Sequence, residues 1–164
     1  MAQGTHADSL LVLLSGRLRA TFTHQGTELT LGIFSPGEAF ASMESFLQGT
    51  PSEYAIESID AAEVLLVPRA LLEGLMKENP PLFMDILAHH RRWVALLSRR
   101  VMELLIASPK ERYLRFETEH PELMAQLPLY MVASLIGITP ESLSRIRRRL
   151  AESGSSTVDS SATD

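Results

Sequence analysis

The chain has 164 residues, of which 45% are hydrophobic and 21% charged, with a formal net charge of −5; that suits one ordinary domain, or a medium domain with a small one, and excludes wholesale disorder. It has no cysteine, which excludes thiolate zinc sites, cysteine-ligated iron–sulfur clusters, thiol catalysis and disulfides, and fits a cytoplasmic location. No apolar run approaches the roughly 18–20 residues of a bilayer span, and residues 1–9 lack the basic-then-apolar order of a signal peptide, so no membrane partner is expected.

The first half reads as strands. Leu10 to Leu14 is a short apolar run ending at Ser15-Gly16. Residues 17–23 alternate, with Leu18, Ala20 and Phe22 on one face and Arg17, Arg19, Thr21 and Thr23 on the other. His24-Gln25-Gly26 is a turn signal, and Leu29, Leu31 and Ile33 alternate again before Ser35-Pro36-Gly37. Tyr54 to Ile59 and Ala62 to Val67 read as a further strand pair joined around Asp60. Short strands at this spacing predict an antiparallel sandwich or barrel.

The period changes at Pro68. Leu71, Leu72 and Leu75 follow helical spacing until Asn79-Pro80-Pro81. From Leu82 to Ile106 there is neither glycine nor proline, and Ile86, His90, Trp93, Leu97, Val101 and Leu104 recur at spacings of three and four. This predicts a helix of roughly 25 residues, about 37 Å long. Its apolar stripe is broadened by Leu87, Val94, Leu96 and Leu105, so it is expected to pack both on its own domain and on a second copy. The expected dimer contacts are Ile86, Trp93, Leu97, Val101 and Leu104. Ser108-Pro109-Lys110-Glu111 then has the form of a capping box with proline at the first helical position, followed by a helix to about His120 with Tyr113, Leu114 and Phe116 as core candidates.

The average charge hides a gradient. Residues 1–80 hold 4 basic and 10 acidic side chains, whereas residues 91–115 hold 7 basic and 2 acidic, and residues 141–150 hold 4 arginines and 1 glutamate. Local field rather than net charge governs contact with nucleic acid. Residues 128–150 predict two short helices around a tight turn at Gly137, with the small Ala133 where the helices approach and Thr139-Pro140 opening the second helix. That is the layout of a helix–turn–helix, whose second helix enters the major groove of double-stranded DNA. Leu143, Ile146 and Leu150 point inward at i, i+3 and i+7. Thr139 caps the outward face. Glu141, Ser142 and Arg145 are the expected base readers, and Arg148 and Arg149, with Arg147 on the flank, are expected at phosphates.

The chain resembles the Crp/Fnr family of bacterial transcription regulators. The resemblance runs through Val12-Leu13-Leu14-Ser15-Gly16-Arg17-Leu18-Arg19, Gly26, and Phe34-Ser35-Pro36-Gly37-Glu38-Ala39-Phe40. It is closer in Glu111-Arg112-Tyr113, Glu119-His120-Pro121-Glu122-Leu123, and the run from Ala133-Ser134-Leu135-Ile136-Gly137 to Arg145-Ile146-Arg147. It implies an α+β fold in three modules: an antiparallel, jelly-roll-like β-roll related to cyclic-nucleotide-binding domains (residues 1–80), a dimerisation helix (81–107) and a C-terminal helix–turn–helix (108–151) without an obvious wing. A tail without core-forming residues follows (152–164). It also implies a homodimer on DNA, with RNA polymerase and a small-molecule effector as further candidate partners and no cofactor.

Two departures accompany the resemblance. In relatives that bind cyclic nucleotides, a Gly-Glu pair follows the pocket phenylalanine and an arginine further on holds the phosphate. Here Phe40 is followed by Ala41-Ser42, and residues 48–53 contain no arginine, Ser52 being the nearest match. The expected effector pocket is therefore Phe40, Ala41, Ser42, Pro51 and Ser52, without tight binding of cyclic AMP. Family members also usually carry further strands before the one at Leu10, so an exposed sheet edge is expected.

Other chemistries fit poorly. The histidines (His6, His24, His89, His90 and His120) show no metal-ligand spacing, and His89 and His90 are read as surface or interface residues. There is no nucleophile elbow and no phosphate-cradling glycine loop, so the protein is not expected to be an enzyme. Two alternatives stay open: a regulator or scaffold acting through protein contacts with a non-functional DNA-binding part, and a β-roll protein that binds a small molecule.

Overall fold

The turn at residues 24–26 fixes the first piece of architecture. In the computed structural model, which describes residues 1–158 with side chains to Ser153, Gln25 and Gly26 both take left-handed backbone angles (φ 48° and 78°). They close a two-residue hairpin between β2 (Leu18–His24) and β3 (Thr27–Phe34), as such angles favour. The other roll elements are β1 (Ser9–Ser15), β4 (Ala39–Phe40), α1 (Met43–Gln48), β5 (Ala55–Ser58) and β6 (Glu63–Pro68), followed by α2 (Arg69–Glu78). Two antiparallel sheets result, ordered β4-β1-β6 and β3-β2-β5. The expected pairing of the two strands around Asp60 is corrected: β5 pairs with β2 and β6 with β1. Asp60 instead clamps Arg17, accepting from its backbone N–H (2.6 Å) and from its guanidinium (2.7 Å). That ties the connection after β1 to the connection after β5.

The roll core is Leu13, Leu18, Ala20, Phe34, Phe40 and Ile56, with a second cluster of Leu10, Ala41, Phe46 and Leu72. Arg19, expected on a polar face, is only 8% exposed. Its guanidinium reaches Glu28 at 2.7 Å and Glu57 at 2.8 Å, one on each neighbouring strand, so the charge is buried with partners rather than solvated. Among the described residues β6 pairs with β1 alone, and its Val64, Leu65 and Leu66 are exposed.

The long helix α3 (Pro80–Ile106) docks on the roll through Trp93, Ile86 and Arg100. Trp93 lies on the bare backbone of Gly32, where an added Cβ would run into the indole ring. Its ring stacks on Phe34 (centroids 4.7 Å apart), which stacks on Phe40 (4.0 Å). Arg100 donates to the carbonyl of Leu31 at 2.8 Å.

The chain divides into two compact units, Met1–Val101 and the residues from Met102 on, with α3 running through the division. The second unit holds the end of α3, α4 (Pro109–Glu119), α5 (Pro121–Gln126), α6 (Leu129–Leu135) and α7 (Pro140–Val158). The capping box at Ser108 and Glu111 forms as read. Tyr113 is buried and Phe116 half-buried, but Leu114 is exposed. The connection after α6 turns on Gly137 (φ 68°), which also lies under the Leu104 side chain. Arg112 secures that turn by donating to the carbonyls of Ala107 (2.6 Å), Ile136 (2.8 Å) and Gly137 (3.2 Å). These include carbonyls that helix ends leave without partners. The tail expected from residue 152 is corrected in part, since α7 continues to Val158; residues 159–164 lie outside the described residues.

Two substitutions test these anchors. Gly32→Ala forces the indole off the strand and should cost about 1–3 kcal/mol, lowering the denaturant midpoint read from the fluorescence of Trp93, the only tryptophan. Arg112→Met leaves three carbonyls without their cationic donor and should cost about 2–3 kcal/mol. That loss should appear in the helical circular dichroism transition, with the Trp93 transition unmoved.

Candidate nucleic-acid interface and effector cavity

The outward face of α7 is built from its first turn. Thr139 receives the Ser142 backbone N–H on its hydroxyl (3.2 Å) and donates to the Ser142 hydroxyl (3.2 Å), which also accepts from Arg145 (3.0 Å). Glu141 is fully exposed. Its carboxyl is held below the ordinary 4.5 by its own backbone N–H, then by the Thr139 hydroxyl and the Arg145 charge. The start of the helix therefore presents an ionised acceptor, a hydroxyl and a guanidinium on one side. Behind them Leu143 is fully buried, and Ile146 and Leu150 are half-buried. Met131, Val132 and Ala133 of α6 are buried, and the Ile138 N–H bonds the Ala133 carbonyl at 3.0 Å, setting the tight approach read from the small residue.

Arg145, Arg148 and Arg149 are exposed on α7, with Arg148 in a long 4.0 Å pair with Glu152; such an exposed pair contributes little. Arg147 is placed differently. It is exposed as well, and lies near the Tyr113 hydroxyl, which donates to Glu117 at 2.7 Å. The sequence missed Arg112, whose one visible signal is a charged residue on the core side of a capped helix, next to the buried Tyr113.

Within the first unit a cavity of about 550 Å3 opens between the roll and α3, inside the roughly 300–1,000 Å3 range of small-molecule sites. Phe40, Ala41, Ser42 and Pro51 of the candidate pocket residues line it. Ser52 does not: it is buried, with its hydroxyl donating to the Tyr54 carbonyl at 2.7 Å and its N–H to the Thr5 carbonyl at 2.8 Å. The neighbouring Glu53 faces the cavity instead. Tyr54, also in the lining, donates to the Ala41 carbonyl at 3.0 Å, and burial raises its pKa while the Ser42 hydroxyl opposes that shift. The helix side brings His89, His90 and Arg92, none of which the sequence suggested for a pocket. Among the described residues no group of three or more His, Cys, Asp or Glu could hold a metal, and no helix is long and apolar enough to cross a membrane.

The expected interface residues of α3 divide. Ile86 and Trp93 pack on the roll of their own chain, Leu97 is half-buried along the cavity, and Leu104 covers Gly137 while staying 41% exposed. Of the five only Val101, 55% exposed, lies fully on the outer side. It continues a stripe of Phe83, Leu87 and Val94, exposed apolar residues at spacings of four and seven.

Comparison with known proteins places this geometry. The model of the cyclic nucleotide-binding domain family matches residues 1–79. The cyclic AMP receptor protein of Thermus thermophilus is 31% identical, over 93% of this chain and 72% of that protein. Two solved structures share the fold. The c-di-GMP-responsive global regulator CLP of Xanthomonas campestris superposes with a TM-score of 0.81 at 20% identity, covering 94% of this chain and 82% of that one. A Crp/Fnr-family transcriptional regulator of Thermus thermophilus gives 0.73 at 22% identity, covering 94% and 81%. With a roll, a long helix and a capped two-helix turn in succession, and a relative aligned over nearly its whole length, the chain belongs to the Crp/Fnr family of transcription regulators.

Proposed function

We propose that the protein is a homodimeric, sequence-specific DNA-binding regulator that does not respond to cyclic AMP. One observation carries the reading: α7 follows a tight, capped turn, buries Leu143 behind it, and leaves Glu141, Arg145, Arg148 and Arg149 exposed at its outer side. Glu141, Ser142 and Arg145 lie in the first two turns, the part of a recognition helix that meets base edges. Arginine reads guanine through two hydrogen bonds and an ionised glutamate accepts from cytosine N4. Arg148 and Arg149, further along, suit phosphates, and Arg147, exposed on the flank near Tyr113, is a weaker candidate.

The outer stripe of α3 supports a dimer. Phe83, Leu87, Val94 and Val101 follow the repeat that pairs long helices, and a helix with such a stripe gains by burying it against a copy of itself. Two copies would set their α7 helices in successive major grooves, about 34 Å apart, on a near-palindromic site. An effector in the cavity would touch α3 through His89, His90 or Arg92 and so bias the helix pair that spaces the readers. Cyclic AMP fits badly, because Ser52 turns into the protein and Glu53 presents a carboxylate instead.

Arg145→Ala should cost about 1–3 kcal/mol of discrimination at one base pair per half-site. Arg148→Ala should weaken binding to all duplex sequences alike and reduce the log–log salt slope by about 0.9. Filter binding at several salt concentrations separates the two, and a chain acting only through protein contacts would show no salt-dependent duplex binding. Val101→Glu should convert the dimer to monomer in sedimentation and weaken DNA binding with it.

A further inference from the structure

Building on the reading of the roll as a sensor, we propose that its cavity takes a small molecule with a flat apolar body and an ammonium group, and rejects phosphates. The floor suits the body. Phe34, Phe40 and Trp93 form a continuous aromatic stack at 4.0 and 4.7 Å, and Leu10, Ile33 and Leu97 line the cavity beside it. A planar ligand gains most against such a wall, and a cation can lie over its ring faces.

The rim sets the sign of the charge. Carboxylates of Glu38, Glu44 and Glu53 come from the roll side, and Arg92 is the one arginine or lysine in the lining. Glu38 accepts from the Ser35 N–H at 2.7 Å, and Glu44 and Glu53 are exposed at the mouth. On either side of Glu53, residues 51, 52 and 54 offer no amide to an anion. Pro51 has no N–H, the Ser52 N–H bonds the Thr5 carbonyl at 2.8 Å, and the Tyr54 N–H turns to the Ser52 hydroxyl at 3.3 Å. A phosphate placed there would meet carboxylates without a cation on the same side, while an ammonium would meet two acceptors. On the helix side Arg92 contends with the roll's carboxylates.

Trp93 is the only tryptophan and lies in the cavity wall, so its fluorescence reports occupancy directly. The full chain is titrated at about pH 8 with 2-phenylethylamine, 3-phenylpropionate and cyclic AMP. The amine should quench Trp93 saturably and at least about tenfold more tightly than the propionate, with no response to cyclic AMP. Glu53→Gln or Glu44→Gln should weaken the amine by about fivefold, the size of one exposed charge pair, without weakening the propionate. Equal or tighter propionate binding, which would assign control to Arg92, overturns the proposal. So do a saturable cyclic AMP response, an amine affinity unchanged in both variants, or no amine binding. Duplex DNA binding by the same ligand-free sample keeps the outcomes apart: if it persists, only the ligand class falls, and if it is absent, the regulator reading fails.

Discussion

A tryptophan ring laid on a strand that lacks a side chain is the contact on which the architecture turns. Gly32 leaves the backbone of β3 bare, and Trp93 fills that space while stacking on Phe34. Its effect is rotational. Once Trp93 points at the sheet, helix periodicity sends Ile86, His90, Leu97 and Arg100 toward the roll, and turns Phe83, Leu87 and Val101 outward. The exposures of these residues follow that division. The same contact shapes the cavity, whose wall is the indole and its phenylalanine neighbours. One packing event therefore shapes the cavity beside α3 and sets which apolar residues of the helix stay exposed, with Val94 bordering both.

The helical unit depends on a different kind of contact. Its turn is too short for every helix-end carbonyl to find a backbone donor, and Arg112 supplies three hydrogen bonds from one planar cation. Arg112 thus serves the fold, while Arg145, Arg147, Arg148 and Arg149 are all exposed on α7. Net charge concealed this, because the acidic roll outweighs a basic helix whose field acts locally.

Much of the helical unit was legible because its punctuation is local. Ser108-Pro109 with Glu111, Gly137, and Thr139-Pro140 each specify a helix end within four residues, and the structure places ends at all of them. The strands were legible too, but not their partners. β5 and β6 are adjacent in sequence, yet the Arg17–Asp60 clamp holds the turn between them while each strand joins a different sheet. Arg19 was misread because alternation reports only which face a residue occupies. That both neighbouring strands bring carboxylates to cover it is a tertiary fact. The cavity lip failed for a sharper reason. Along an extended segment a one-residue ambiguity reverses the side chain, so Ser52 goes inside while Glu53 takes the place assigned to it. α1, with six residues, carried too little pattern to be seen at all.

The account stands or falls on whether α7 reads duplex DNA from a dimer. Selection of sites from a random duplex library by the purified chain, at about 0.15 M salt, tests this most directly because it assumes no operator. The account predicts an enriched two-fold-symmetric motif whose half-sites lie roughly 10 base pairs apart, one helical turn. A folded dimer that enriches no sequence, or a single unpaired half-site, would contradict it.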